Sequence, residues 1–524
     1  MAKDQTKPSG SGAQWVAAGI LLSRISGLVR QKVFAHYFGN SDAGDAFYSA
    51  LKIPNFLQNL FGEGVLSASF IPVYASLLAR GEGEEAAEVA ESVAALLGLV
   101  TSILVLLGVL FTPIFIDLIA PGFQGEKRLL TIRLVQILFP GTGMVVMSAW
   151  CLGVLNSHRK FFLSYAAPVI WNVAIIAALV FYGPRSDQSH LAVYTAWGVV
   201  AGSALQFGVQ IPTVIRILGK FRFKISYHLE SVKTALRNFV PVLIARGVVQ
   251  VSAYIDNVLA SFLPMGAVSA LAYAQSIYML PISLFGMSIS AAELPAMSSA
   301  QGTPEEIAAY LRKRLDSGLA QLAYFIVPCI AAFLILGEQV IGILYQGGAF
   351  QHDNTIYVWG VLAGSTVGLL ATTFGRLYSS TYYSLKDTRT PLKFAFVRVV
   401  LTTGLGYLVG IRAPGWLGLN AAWGTAGLTS SAGVAGWVEF YLLRKHLSPR
   451  IGTTGVKASY LGKLWIAALT SGGIGFGVKT LIGIRHPVIT GVIALGVFGV
   501  SYLVATMAMK IEQSNALLKK LRLR

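Results

Sequence analysis

Long apolar stretches separated by short polar breaks run along most of this 524-residue chain. A stretch of about 20 apolar residues is long enough to cross the hydrocarbon core of a membrane as a helix. On that length the pattern predicts about fourteen transmembrane helices, and hence an all-α polytopic membrane protein. The helices are expected to begin near Trp15, Asp45, Ala87, Leu130, Phe162, Leu191, Thr234, Val268, Leu315, Ile356, Pro391, Leu417, Tyr460 and Pro487.

The composition supports this class of protein. Hydrophobic residues make up 55% of the chain, charged residues only 12%, and the mean hydropathy is +0.65. The net charge of +18 comes from Lys and Arg that concentrate in alternate loops. Such an asymmetry predicts that these loops and both termini are cytoplasmic. It also favours contact with membrane lipids over binding to nucleic acid.

The chain is predicted to consist of two similar lobes and an added hairpin. Residues 33–72 contain Tyr48, Pro54 and a Phe-Gly pair at 61–62, and residues 258–295 contain Tyr273, Pro281 and a Phe-Gly pair at nearly the same spacing. This indicates a parallel repeat of two six-helix lobes across a central cavity. The expected parts are a cytoplasmic tail (1–13), an N-lobe (14–218), a basic cytoplasmic linker (219–233), a C-lobe (234–445), a C-terminal two-helix hairpin (459–509) and a basic cytoplasmic tail (510–524).

The motifs of common enzymes are missing from the sequence. It has no phosphate-binding Gly-rich loop with a lysine, no Gly-x-Ser-x-Gly elbow and no His-Glu-x-x-His zinc pattern. We therefore predict a transporter and not an enzyme, with no metal and no cofactor. Transport is expected to be driven by a coupling cation, by the membrane potential or by the gradient of the substrate itself.

Charged residues inside the apolar stretches are the main guide to function, because a charge at membrane depth needs a partner or a water-filled cavity. Arg24 and Arg30 lie in the first stretch, and guanidinium groups suit a phosphorylated or carboxylated substrate. Asp45, Lys52 and Glu63 are further candidates in the second helix. Alternatively, Asp45 caps that helix at the outer surface, Lys52 pairs locally or snorkels, and Arg24 pairs with Glu63 or Asp45.

The second lobe offers Arg246, Asp256 and Arg398. The ten residues from Arg246 to Asp256 turn about 280° around a helix, so these two side chains do not share a face. Arg246 is a candidate for substrate binding in the cavity. Asp256 is a candidate site for a coupling cation or proton, and the alternative is that it neutralises Arg398.

Several long motifs carry a resemblance to a known family. They are Ser-Arg-Ile-Ser-Gly-Leu-Val-Arg at 23–30, Lys-Ile-Pro-Asn-Phe at 52–56, Phe-Gly-Glu-Gly at 61–64, Ala-Pro-Gly-Phe at 120–123 and Lys-Asp-Thr-Arg-Thr-Pro at 386–391. The chain resembles the MurJ/MviN lipid II flippases of the multidrug/oligosaccharidyl-lipid/polysaccharide exporter superfamily. The resemblance implies a monomer in the bacterial cytoplasmic (inner) membrane that exports an undecaprenyl-pyrophosphate-linked peptidoglycan precursor, lipid II, by alternating access. It also implies that Arg24 and Arg30 bind the pyrophosphate.

Three positions depart from the family pattern. Gln58 and Ser276 stand where the family usually has arginines, and Gln31 replaces an acid. Arg246 is a hypothetical substitute for a lost cation. The missing arginines keep open the alternative of a flippase for another polyprenyl-pyrophosphate-linked glycan, such as an exopolysaccharide or O-antigen unit. A further alternative is an ion-coupled small-molecule antiporter, although a cationic substrate would favour acids over arginines in the first lobe.

Overall fold

The structure is a computed structural model that describes residues 10–219, 225–482 and 486–515. Within these ranges the chain is helical, apart from connecting turns and one isolated bridge between Gly347 and Phe350. Helices satisfy all their backbone hydrogen bonds within one segment, which apolar surroundings require. The predicted all-α class is confirmed.

The chain forms two compact units, and the first is Met1–Val268. Its helices are α1 (Gly10–Phe38), α2 (Asp42–Phe61), α3 (Glu63–Arg80), α4 (Gly83–Leu110), α5 (Thr112–Ile119), α6 (Gly125–Ser157), α7 (Phe161–Tyr182), α8 (Gln188–Leu218) and α9 (Glu230–Ser261), with a short 3₁₀ turn at Gly183–Arg185.

The second unit is Ser269–Arg524. Its helices are α10 (Ala267–Pro281), α11 (Ser288–Ser298), α12 (Pro304–Ile335), α13 (Gly337–Tyr345), α14 (His352–Thr366), α15 (Leu369–Ser384), α16 (Arg389–Leu405), α17 (Ala413–Trp416), α18 (Gly424–Ile451), α19 (Ala458–Ile482) and α20 (Pro487–Ala508). A π-helical segment at Ile282–Met287 joins α10 to α11, another at Gly406–Arg412 joins α16 to α17, and a 3₁₀ turn lies at Ala421–Trp423.

Ten helical segments of the described chain are long and apolar enough to cross a membrane, and the bent pair formed by α14 and α15 makes an eleventh. Three more of the predicted segments correspond to α1, α9 and α18, which carry charges or many small polar residues that lower their hydropathy. Each predicted stretch therefore coincides with a helix or a broken helix. The total of fourteen spans and the arrangement of the lobes stay predictions.

The repeat detected in the sequence is accompanied by a break at the same place in each copy. In the first copy α2 ends at Phe61 and α3 begins at Glu63, with Gly62 between them in an extended conformation. In the second copy the Phe-Gly pair at 285–286 lies inside the π-helical segment. Such interruptions free backbone groups where a helix lines a cavity.

The helix predicted to open the second lobe, α9, packs within the first unit. It lies against α2, α3, α4 and α5, and the rings of Phe61 and Phe239 are in tilted contact with centroids 6.0 Å apart. Val232 and Ala235 of α9 are fully or almost fully buried in the same apolar core as Leu66 and Phe70. The predicted domain boundaries are not tested by this packing and stay predictions.

Candidate functional site

Arg24 and Arg30 lie on α1 and face different surroundings. Six residues separate them, which places them about 120° apart around the helix. Arg24 is exposed, and the neighbouring side chains of Leu21 and Ile25 are 62% and 50% exposed. Because the two guanidinium groups point in different directions, they do not form one side-by-side pair.

Arg30 is held against α7. Its guanidinium carbon lies 4.8 Å from the ring centroid of Trp171, a cation–π distance. The Trp171 indole N–H in turn donates to Ser203 Oγ at 3.2 Å. One residue further along α7, the Asn172 amide donates to Ser26 Oγ of α1 at 2.9 Å. These contacts fix the rotation of α1 and leave Arg24 as the arginine presented outward.

A polar pocket of about 310 Å³ lies between α2, α6, α7 and α8. Its wall contains Gln58, the residue that replaces a family arginine, together with Gly62 and Gly64 at the break between α2 and α3. A Cβ on Gly62 would collide with the carbonyl oxygen of Gln58. Glycine is therefore needed for the chain to turn into α3 at this wall.

Lys52 and Asp256 attract each other electrostatically within the first unit. The hydroxyl of Tyr254, two residues before Asp256 on α9, donates to the Lys52 backbone carbonyl at 2.8 Å. The structure thus brings together two residues that the sequence analysis placed in different lobes. Arg398, the alternative partner considered for Asp256, forms an ion pair with Glu439 at 3.2 Å.

Asp45 lies at the end of the first unit where α1 meets α2, and its carboxylate is bound by protein groups. It is 1% exposed and accepts from Lys127 Nζ and from the Gly266 N–H, each at 2.8 Å. Lys127 also pairs with Asp42 at 2.8 Å. The residue that caps α2 is Ser41, which accepts from the Gly44 N–H, so capping by Asp45 is excluded.

For two of the predicted site residues, Glu63 and Arg246, the structure gives the helix but not the side-chain position. Glu63 begins α3 and Arg246 lies within α9, but both side chains lie outside the described part of the chain. The second departure from the family pattern, Ser276, donates to the Ala272 carbonyl of its own helix at 2.9 Å. Among the described residues, no three His, Cys, Asp or Glu side chains converge as metal ligands would.

Sequence reasoning missed the polar residues of α8 and α6. Gln206 and Gln210 both donate to Ser148 Oγ, at 3.0 and 2.7 Å. A signal for them existed, because two glutamines four residues apart share one face of an otherwise apolar helix. Lys127 was also missed. It lies in the first turn of α6, next to a loop, where a basic residue usually only reflects the orientation of the chain in the membrane.

Comparison with known sequences gives the family. The sequence profile described as "Lipid II flippase MurJ" matches residues 34–496. The chain belongs to the MurJ family of lipid II flippases. The family resemblance carried by the motifs is thereby confirmed.

Curated relatives match over most of their length. A probable lipid II flippase MurJ of Haemophilus influenzae is 31% identical, over 74% of this chain and 78% of its own. The lipid II flippase MurJ of Burkholderia cenocepacia is 30% identical, over 79% and 81%. A probable lipid II flippase MurJ of Rhizobium tropici is 29% identical, over 89% and 93%.

Solved structures agree in fold. A lipid II flippase MurJ in an inward-closed conformation superposes with a TM-score of 0.76 at 25% identity, covering 94% of this chain and 98% of that one. An inward-facing multidrug resistance transporter of the MATE family gives a TM-score of 0.63 at 16% identity, covering 83% and 98%. The second likeness shows a shared fold and carries no information on substrate.

Proposed function

We propose that this chain moves lipid II from the cytoplasmic to the outer leaflet by alternating access, as an integral transporter that makes and breaks no bond. The observation that carries the proposal is Arg24, a membrane-depth guanidinium that is exposed on α1 while its neighbour Arg30 is held by Trp171. A pyrophosphate offers several anionic acceptors to such a donor. Membership of the MurJ family supports lipid II as the cargo.

The remaining predicted site residues enter the proposal with different roles. Lys52 lies beside Asp256, so it contributes a positive charge that is already partly compensated. Asp256 is the proposed site for a coupling cation or proton, and the membrane potential is the alternative driving force. Arg246 and Glu63 are proposed to face the head group, whereas Asp45 is proposed to act through its contacts with Lys127 and Gly266.

The proposal extends to location and assembly. We place the chain in the bacterial cytoplasmic membrane, as a monomer with both termini cytoplasmic. The excess of Lys and Arg in alternate loops supports this orientation.

A second candidate cargo is another polyprenyl-pyrophosphate-linked glycan. The observation that favours it is Gln58, which replaces a family arginine and lines a pocket with neutral polar side chains. A cargo with fewer charges near the pyrophosphate would need fewer cations.

Complementation separates the two cargoes. A host whose own lipid II flippase is depleted should regain growth and outer-leaflet lipid II when it expresses this chain. Arg24→Ala should abolish rescue, whereas Arg128→Ala should preserve it, because Arg128 forms a surface ion pair with the exposed Asp117. Correct membrane insertion without rescue of lipid II, together with restored export of another glycan, would overturn lipid II as the cargo.

A further inference from the structure

The pocket between α2, α6, α7 and α8 is lined by uncharged hydrogen-bonding side chains. They are Gln58 and Asn59 of α2, Ser148 of α6, Ser164 of α7 and Gln206 of α8. No ionisable residue is among the described residues of its wall. A phosphate placed here would be a desolvated charge without a cationic partner. The described side chains of this wall therefore favour a neutral polar group.

One hydroxyl organises the inner wall. Ser148 Oγ accepts from the amides of Gln206 and Gln210, at 3.0 and 2.7 Å. Because a hydroxyl oxygen has two lone pairs, these two bonds use its acceptor capacity and leave its proton to donate. Ser148 lines the pocket, so that donor is available to an acceptor bound there.

The same network has an incomplete acceptor. Gln210 is only 1% exposed, and its Oε1 atom has no hydrogen-bond partner among the described residues. Buried polar atoms are normally paired, and an unpaired one is costly. Gln210 is not among the residues of the pocket wall, so the side chains that face a bound molecule there include Ser148 and the carboxamides of Gln58, Asn59 and Gln206.

The pocket lies at nearly the depth of Arg24. A Cβ built on Gly19 of α1 would lie 2.7 Å from the Tyr165 Cβ of α7, and Ser26 contacts Asn172. By these two contacts, position 24 of α1 lies beside position 170 of α7. Pro168 in the pocket wall is two residues away on α7, which is ~3 Å along the helix axis. A group attached to a phosphate at Arg24 therefore lies close to the pocket in depth.

We propose that this pocket binds an uncharged carboxamide of the lipid-linked head group, from an N-acetyl sugar or from an amidated peptide side chain. Both sources present a C=O to the Ser148 hydroxyl and an N–H to the side-chain oxygen of Gln58 or Gln206. Gln58 and Asn59 are exposed carboxamides that pair with the same chemistry. The inference deepens the proposed function and rests on it, since it assigns the head group's neutral part a site separate from the pyrophosphate.

Binding measurements on the purified full chain in lipid nanodiscs test the assignment. The probes are lipid II, lipid II with a deacetylated sugar, lipid II with and without an amidated peptide, and undecaprenyl pyrophosphate alone. Gln58→Leu and Gln206→Leu should each weaken binding of lipid II roughly five- to tenfold, the loss of about one hydrogen bond. Neither should change binding of undecaprenyl pyrophosphate.

Controls separate recognition from folding. Gln206→Leu removes a bond to Ser148, whereas Gln58 is exposed, so Gln58→Leu should leave the thermal unfolding temperature unchanged. Gln136→Leu makes the same substitution at an exposed position of α6 outside the pocket and should leave all binding unchanged. Arg24→Ala should weaken all probes, including undecaprenyl pyrophosphate.

The source of the carboxamide follows from the probes. If the pocket binds the N-acetyl group, wild type should bind the deacetylated probe as weakly as the Gln58→Leu variant binds lipid II. The variant and wild type should then bind the deacetylated probe equally. If the peptide is bound, the non-amidated probe should behave in that way instead. Equal losses for all probes, or no loss in Gln58→Leu, would overturn the assignment while leaving the complementation result for lipid II unaffected.

Discussion

Two arginines, Arg398 of the second unit and Arg24 of the first, have different surroundings. Arg398 pairs with Glu439 at 3.2 Å. In the first unit Arg24 is exposed on α1, and a neutral polar pocket lies at nearly its depth. A charge satisfied by another charge stabilises the fold, whereas a charge left exposed at membrane depth is available to a ligand. We therefore propose Arg24 as a contact of the head group.

The largest predicted effect comes from replacing Arg24 and Arg398, one at a time, by alanine. Arg24→Ala should lower transport about 10- to 100-fold, because it removes a charged hydrogen bond to phosphate of roughly 1.5–3 kcal/mol. The unfolding temperature should change little. Arg398→Ala should instead destabilise the protein by about 1–3 kcal/mol, because it strands Glu439. Flipping assays and thermal unfolding of both variants measure the contrast, and the reverse pattern would refute the division of roles.

The two helix breaks provide the next comparison. A Cβ on Gly62 would lie 2.2 Å from the backbone carbonyl oxygen of Gln58, whereas a Cβ on Gly286 would lie 3.2 Å from the Thr373 methyl carbon, which needs to shift only slightly. Gly62→Ala should therefore cost about 2 kcal/mol or more of stability, and Gly286→Ala less than about 1 kcal/mol. Denaturation of the two variants tests this, and equal costs would mean that the first break relaxes as easily as the second.

Substitutions at Lys52 and Asp256 test whether the first unit contains a compensated charge as well as the exposed Arg24. Lys52→Ala and Asp256→Ala should each reduce transport. The double variant should transport at least as fast as the less active of the two single variants. The expected coupling energy is about 1–2 kcal/mol. A double-mutant cycle of transport rates measures it, and strictly additive losses would show that the two residues act independently.

The smallest predicted effect concerns Asp387, in the turn before α16. Hydrogen bonds from the Thr390 N–H and hydroxyl, and the guanidinium of Arg450, lower the pKa of this carboxyl below its usual value. A lowered pKa stabilises the fold at pH values above the ordinary aspartate range, and the contribution is lost as the pH falls through the lowered pKa.

Asp387→Asn should consequently cost less than about 1 kcal/mol at neutral pH. The difference in unfolding temperature between wild type and variant should shrink as the pH is lowered into the acid range. A difference that stays constant with pH would show that the carboxylate charge is not what stabilises the turn.

Much of the fold could be predicted because hydropathy is a local property. The apolar stretches lie at helices because each stretch can satisfy its backbone hydrogen bonds alone. Arg24 was identifiable for the same reason, as a charge out of place in its own segment. Pairings between distant segments were not identifiable: Lys52 meets Asp256 across about 200 residues, and Lys127 binds Asp45 from another helix.

The sequence by itself determined the helical class, the positions of the apolar segments, the family and the two arginines of α1. Only the tertiary structure decided that Arg30 stacks on Trp171, that Arg24 is exposed, and that Gln58 shares a pocket with Ser148 and Gln206. The physical reason is that a helix forms from contacts within one segment. The rotation and neighbours of that helix depend on side chains contributed by several distant segments.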